Sequence, residues 1–163
     1  MTWRRGEETI RRLLSDGELS HVPPSTAVAE RLLADATAHV GLGRYGIGED
    51  VERPDPAGAL QLGYDAARKA SAALLAVQGL RSTTRGGHIA VLEAVREQFN
   101  GPNGVAVFGR TDRLRRRRHA TEYPDVDSPG VNNQDAAAAL DLAVEVIAAT
   151  RQLLATDTLH QFR

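Results

Sequence analysis

The segment from Arg110 to Pro124, RTDRLRRRRHATEYP, concentrates residue types that phosphodiester chemistry requires. Six of the nine residues from Arg110 to Arg118 are arginine, and Asp112 is the only opposing charge among them. Guanidinium groups hold and neutralise phosphate oxygens in a fixed planar geometry. His119, Glu122 and Tyr123 follow directly, and an imidazole beside a phosphate can move a proton. On a helix, Arg110, Arg113, Arg116 and Arg117 cover one side, while Leu114 and Arg118 project on another. His119 and Tyr123, four residues apart, share a face if the helix continues to Pro124. This makes Arg110, Arg113, Arg115, Arg116 and Arg117 candidates for binding nucleic acid. Arg118, His119 and Tyr123 are candidates for catalysis.

The plainer alternative is a solvated basic face, with Tyr123 a core residue whose hydroxyl reaches the edge. Like charges four residues apart disfavour an isolated helix by about 0.2–0.5 kcal/mol per pair. The run therefore needs an offset: an anionic partner, a carboxylate from elsewhere in the fold, or solvent screening.

Other chemistries find less support. The chain of 163 residues has no cysteine, which removes disulfides, thiolate nucleophiles and cysteine-ligated zinc. His21, His39, His88 and His160 are scattered, with no spacing suited to a metal, so neither metal nor cofactor is expected. Gly86-Gly87-His88 opens a helix and could offer backbone N–H groups to an anion, although a flexible connection is the simpler reading. Tyr64 to Lys69 reads as a packed helix face with Asp65 and Arg68 in solvent. The formal net charge is −1, so any affinity for nucleic acid must be local to the arginine run. No apolar stretch suits a membrane span or a signal core, which points to a cytoplasmic protein.

The elements that must position these residues are helical. One helix is expected from Glu7 to Glu18, carrying Ile10, Leu13 and Leu14. After Pro23-Pro24, Ser25 should cap a second helix with Val28, Leu32, Leu33, Ala36 and Val40 inward, ending at Gly41 and Gly43. Asp55 and Pro56 begin a long third helix to about Gln78, stopped by Gly79. Its inward face is Leu60, Tyr64, Ala67, Ala70, Leu74 and Val77. Ile89, Leu92, Val95 and Phe99 mark a fourth helix, followed by a turn at Gly101-Pro102-Asn103-Gly104. The basic helix should run from about Val105 to Thr121, ended by Pro124. The last starts near Asn132 or Asn133, with Ala136, Leu140, Ala143, Ile147, Thr150 and Leu154 on one stripe. No segment alternates like a strand. The expectation is an all-α, up-and-down bundle of about five to six helices in one domain spanning residues 1–163, with residues 55–155 as core bundle and 1–50 as accessory helices.

Taken in order, four pieces resemble the HEPN superfamily of small helical-bundle proteins. Leu62 through Leu80 is similar to the family's long first core helix. Gly87-His88-Ile89-Ala90-Val91-Leu92 is similar to the next helix start. Arg113 to Pro124 is similar to the signature helix, and Asn133 to Leu154 to the last helix. Catalytic members carry an arginine, a polar residue, and a histidine after four to six intervening positions; two protomers join two such motifs in a cleft that cuts RNA without metal. Arg118 matches the arginine and His119 the polar position, but Tyr123 stands where the histidine belongs. A tyrosine is a poor general base at neutral pH, and losing an acid–base group typically costs about 10²–10⁴-fold in rate.

The resemblance implies a homodimer through the signature helix and leaves three functions open. The foremost is a non-catalytic protein that binds nucleic acid or a partner, as in toxin–antitoxin or defence systems. The alternative is a metal-independent ribonuclease in which Arg118 stabilises the phosphate and His119 moves the proton. The third makes Tyr123 the target of a partner nucleotidyltransferase.

Overall fold

The computed structural model describes residues 5–100, 106–156 and 159–162. They form an all-α helical bundle of six helices: α1 (Glu7–Ser15), α2 (Thr26–Gly46), α3 (Pro56–Val77), α4 (Gly87–Phe99), α5 (Val107–Glu122) and α6 (Asn133–Leu154). Among the described residues no helix is long and apolar enough to cross a membrane. The expected Gly101–Gly104 turn and Val105 helix start lie outside the described residues.

Helix starts follow the local chemistry that their sequences announce. Ser25 Oγ accepts from the Val28 N–H at 3.2 Å, and Asp55 Oδ1 from the Gly58 N–H at 2.8 Å. Asn132 and Asp135 form a reciprocal capping box at the start of α6. The end of α2 departs from expectation, because the helix passes Gly41 and Gly43 and continues to Gly46. Gly43 packs tightly against the end of the Leu140 side chain, which would have to shift for any larger residue. A Cβ there would lie 2.6 Å from Leu140 Cδ2 of α6.

Two three-residue strands, β1 (Leu19–His21) and β2 (Leu80–Ser82), pair antiparallel with Leu19 opposite Ser82. No strand was expected, since three residues are too few to display alternation. Tertiary context makes the pair: Thr83 N–H donates to Glu18 O at one end and Val22 N–H to Gly79 O at the other. Gly79, at φ 78°, turns the chain out of α3 into β2.

The centre of the bundle is α3, which packs most extensively against α2 and α6 and has no exposed residue along its length. The expected inward residues Leu60, Tyr64, Ala67, Ala70 and Leu74 are buried, and so are Ala59, Gly63, Ala66, Ser71, Ala73, Leu75 and Ala76 on other sides. Two expected core positions lie elsewhere: Val28 is 49% exposed and Ile89 is 56% exposed. Behind α3, Gln78 and Gln98 are fully buried and exchange amide hydrogen bonds of 2.7 and 3.1 Å. Each amide satisfies the other, so the pair avoids the cost of an unmatched buried polar group.

Helices α3 and α6 meet at Gly63, where a Cβ would stand 2.9 Å from the Ala139 carbonyl carbon and 3.1 Å from Leu140 N. These neighbours are backbone and cannot rotate away. In Gly63→Ala the alanine gains about 0.5–1 kcal/mol of helix propensity, while overpacking costs about 1–3 kcal/mol. A net fall in melting temperature of about 2–4 °C is expected by calorimetry. A rise would mean that α3 and α6 separate at little cost.

Candidate functional site

Helix α5 has two faces. Val107, Phe108, Thr111 and Leu114 are buried against the bundle. Arg113, Arg116 and His119 are exposed, and at 3.6 residues per turn they lie with Tyr123 within about a third of the circumference. Tyr123, the residue that ends the helix, is 66% exposed, and its ring lies 5.0 Å from that of His119, tilted by 46°. Two rings and two arginines therefore stand together in solvent.

Most of the arginine run carries its own counter-charge. Asp112 accepts from Arg115 Nε at 3.0 Å and from Arg116 Nη2 at 2.6 Å. The Arg116 and then the Arg115 hydrogen bonds hold the Asp112 carboxyl below its ordinary range. Arg117 reaches Asp135 of α6 at 3.0 Å and the Gly130 carbonyl at 3.1 Å, and Arg110 pairs with Glu145. The Asn132 backbone N–H, followed by Arg117, depresses Asp135. Carboxylates within the fold thus supply the offset that the sequence required. Among the described residues the Arg113 guanidinium has no ion pair or hydrogen bond. Between α5 and α6 runs an open groove of about 500 Å³, floored by Leu60, Leu114 and Leu142, with Arg110, Arg113 and Arg117 along one rim and Asp135, Asp141 and Glu145 along the other.

Arg118 points the other way. Its Nε donates to Gln61 Oε1 at 2.8 Å, its Nη2 lies 2.7 Å from Glu122 Oε2, and its Cζ sits 5.5 Å from the centroid of the buried Tyr64 ring. A guanidinium within about 6 Å of a ring centroid is attracted by the ring quadrupole. The structure therefore brings His119 and Tyr123 together and places Arg118 apart from both. Among the described residues no hydrogen bond or ion pair joins Arg118 to either.

Two of the partners of Arg118, Gln61 and Tyr64, belong to a cluster on α3 that also takes in Asp65 and Arg68, both expected in solvent. Gln61, Tyr64, Asp65 and Arg68 recur at helical spacing on one face of α3. Asp65 and Arg68 are half-buried and paired, with Arg68 Nε donating to Asp65 Oδ1 at 2.9 Å. Asp65 Oδ2 lies 3.1 Å from His39 Nδ1, close enough for an ion pair but outside hydrogen-bonding alignment, so His39 Nδ1 is buried without a hydrogen bond. From the first turn of α4, the His88 ring stands 5.7 Å from the Tyr64 ring. The i, i+3, i+4, i+7 recurrence of polar residues in an otherwise apolar helix was the available signal for this cluster.

Burial, and then the positive charges of Arg68 and Arg118, lower the His88 pKa from the ordinary 6.5; Asp65 and Glu122 oppose them. Burial raises the Tyr64 hydroxyl, against the pull of Arg68, Arg118 and Arg115. The shift favours the neutral imidazole of His88, which is exposed at its edge and held next to fixed positive charge. No protein-family model, curated protein or solved structure matches this chain.

The His88 shift gives a pH prediction. A lowered folded pKa means that the unfolded chain takes up the proton first, so the His88 contribution to stability is lost as pH falls below 6.5 through the folded value. In histidine NMR titrations His88 should titrate below 6.5, and Arg118→Gln should raise its midpoint by removing a positive neighbour. An unmoved midpoint would mean that Arg118 does not face His88.

Proposed function

We propose that the chain is a non-catalytic HEPN-like bundle that binds single-stranded RNA on the outer face of α5. The observation that carries this reading is the exposed stripe of Arg113, Arg116, His119 and Tyr123. Unpaired bases stack on exposed rings, and arginines track the phosphates; such stacking is worth about 1–3 kcal/mol per base. Arg113 is the readiest phosphate ligand, since it has no carboxylate to leave. Arg116 is 75% exposed in its side chain and can exchange Asp112 for a phosphate. Arg110, Arg115 and Arg117 are held by carboxylates and contribute as a background field.

The cleaving alternative, with Arg118 as phosphate ligand and His119 as proton carrier, draws less from this geometry. Arg118 and His119 leave α5 on different sides, and the Arg118 guanidinium is occupied by Gln61, Glu122 and the Tyr64 ring. A second reading keeps Tyr123 as the acceptor of a nucleotidyl group from a partner enzyme, favoured by its exposed ring. The homodimer belongs to the proposal as well. Its support is the apolar floor of the groove beside α5, which a second copy can cover, since the charged rims already pair within the chain, Arg110 with Glu145 and Arg117 with Asp135.

Fluorescence anisotropy with labelled single-stranded RNA in EDTA tests the reading. Tyr123→Ala should weaken binding by about tenfold. Arg116→Ala should flatten the log–log salt slope by about 0.7 if that arginine neutralises one phosphate. Asp112→Asn frees Arg115 and Arg116, so it should tighten binding and steepen the slope. The reading fails if these variants bind like the parent. Cleavage that yields a cyclic phosphate and disappears in Arg118→Ala would install the ribonuclease instead.

A further inference from the structure

A cavity of about 510 Å³ lies away from α5, between β2, the Val22–Ser25 connection and helices α2, α3 and α4. Its walls are apolar, with Val28, Leu32, Leu75, Leu80 and Val91 among them. Val28 occupies a core position of the α2 pattern yet is 49% exposed, because its side chain borders this opening. The Pro23-Pro24 segment is fixed above the end of α3 by Val22 N–H to Gly79 O at 2.9 Å and Ser25 N–H to Ala76 O at 3.0 Å. The cavity is preformed and within the size range of small-molecule sites, about 300–1,000 Å³.

Its charge is one-sided. Arg68 and Arg81 line it, and among the described residues no aspartate or glutamate does. Arg68 commits Nε and Nη2 to Asp65 Oδ1, so its charge is already largely matched. Arg81 is exposed on β2, and among the described residues its guanidinium has no carboxylate partner. The surplus is therefore about one positive charge beside an apolar chamber, which suits a single negative charge on an apolar body. We propose that this cavity binds a monoanionic amphiphile, a medium-chain carboxylate. Its hydrocarbon lies against Val28, Leu75, Leu80 and Val91, and its carboxylate lies at Arg81 with Arg68 behind it.

Decanoate, below its micelle concentration, is the probe, with decanol and decyltrimethylammonium as neutral and cationic controls. Titration into the isotopically labelled full chain should perturb the backbone amides of Val28, Leu80, Arg81 and Val91, with decanoate binding more tightly than either control. Arg81→Glu, on an exposed strand position, should weaken decanoate by about tenfold or more while leaving decanol unchanged. Ala72→Phe, which fills the half-buried wall between Arg68 and Leu75, should abolish both, with a melting curve recorded beside it. Equal binding of decanoate and decanol, an unaffected Arg81→Glu, or perturbations scattered away from these residues would each overturn the proposal. So would the absence of binding.

Discussion

The arrangement depends on the enclosure of α3. A helix surrounded by the rest of the bundle must be apolar or must find a partner for every polar side chain that it carries. Most of α3 takes the first course, through its alanines, leucines and Gly63. Gln61, Asp65, Arg68 and Lys69 take the second. Lys69 reaches Asp35 of α2 at 3.1 Å, Arg68 folds back on Asp65, and Asp65 faces His39. Gln61 and the Tyr64 ring are covered by Arg118. The inward course of Arg118 follows from what α3 requires.

That requirement divides the arginine run. One guanidinium is half-buried against α3, four pair with the three carboxylates of Asp112, Asp135 and Glu145, and Arg113 is left in solvent. Exposed ion pairs of this kind are worth about 0–1 kcal/mol each, so they do not fix stability. They do lower the field that the segment presents. Six arginines in nine residues suggest strong attraction for any polyanion, whereas the folded helix offers a narrow stripe with two rings at its end. Affinity from such a surface should rest on stacking as much as on charge.

Much of this was legible in the sequence. Caps at Ser25 and Asp55, the start expected near Asn132 or Asn133, and the apolar periods of α3 and α6 specify where these helices start and which faces turn inward. The β1–β2 pair was not legible, since strands of three residues are made by distant backbone partners and not by their own pattern. The end of α2 was misread because a glycine can stop a helix or clear space for a neighbour, and at Gly43 only the position of Leu140 decides. The candidate site was half legible. His119 and Tyr123 four apart do share a face, but the direction of Arg118 depended on Gln61 and Tyr64, some fifty residues away in sequence. The polar stripe on α3 was visible as spacing, and without the third dimension it resembled a solvated edge.

The central claim is that Arg118 is half-buried and committed to Gln61, Glu122 and the Tyr64 ring, while the proposed RNA meets His119 and Tyr123. It is tested most directly by following arginine Nε–H and aromatic NMR signals while single-stranded RNA is added. The account predicts an Arg118 Nε–H signal slow to exchange with solvent and unmoved by RNA, together with perturbed His119 and Tyr123 rings. An Arg118 signal that exchanges freely or shifts with RNA, while those rings stay unchanged, would contradict it.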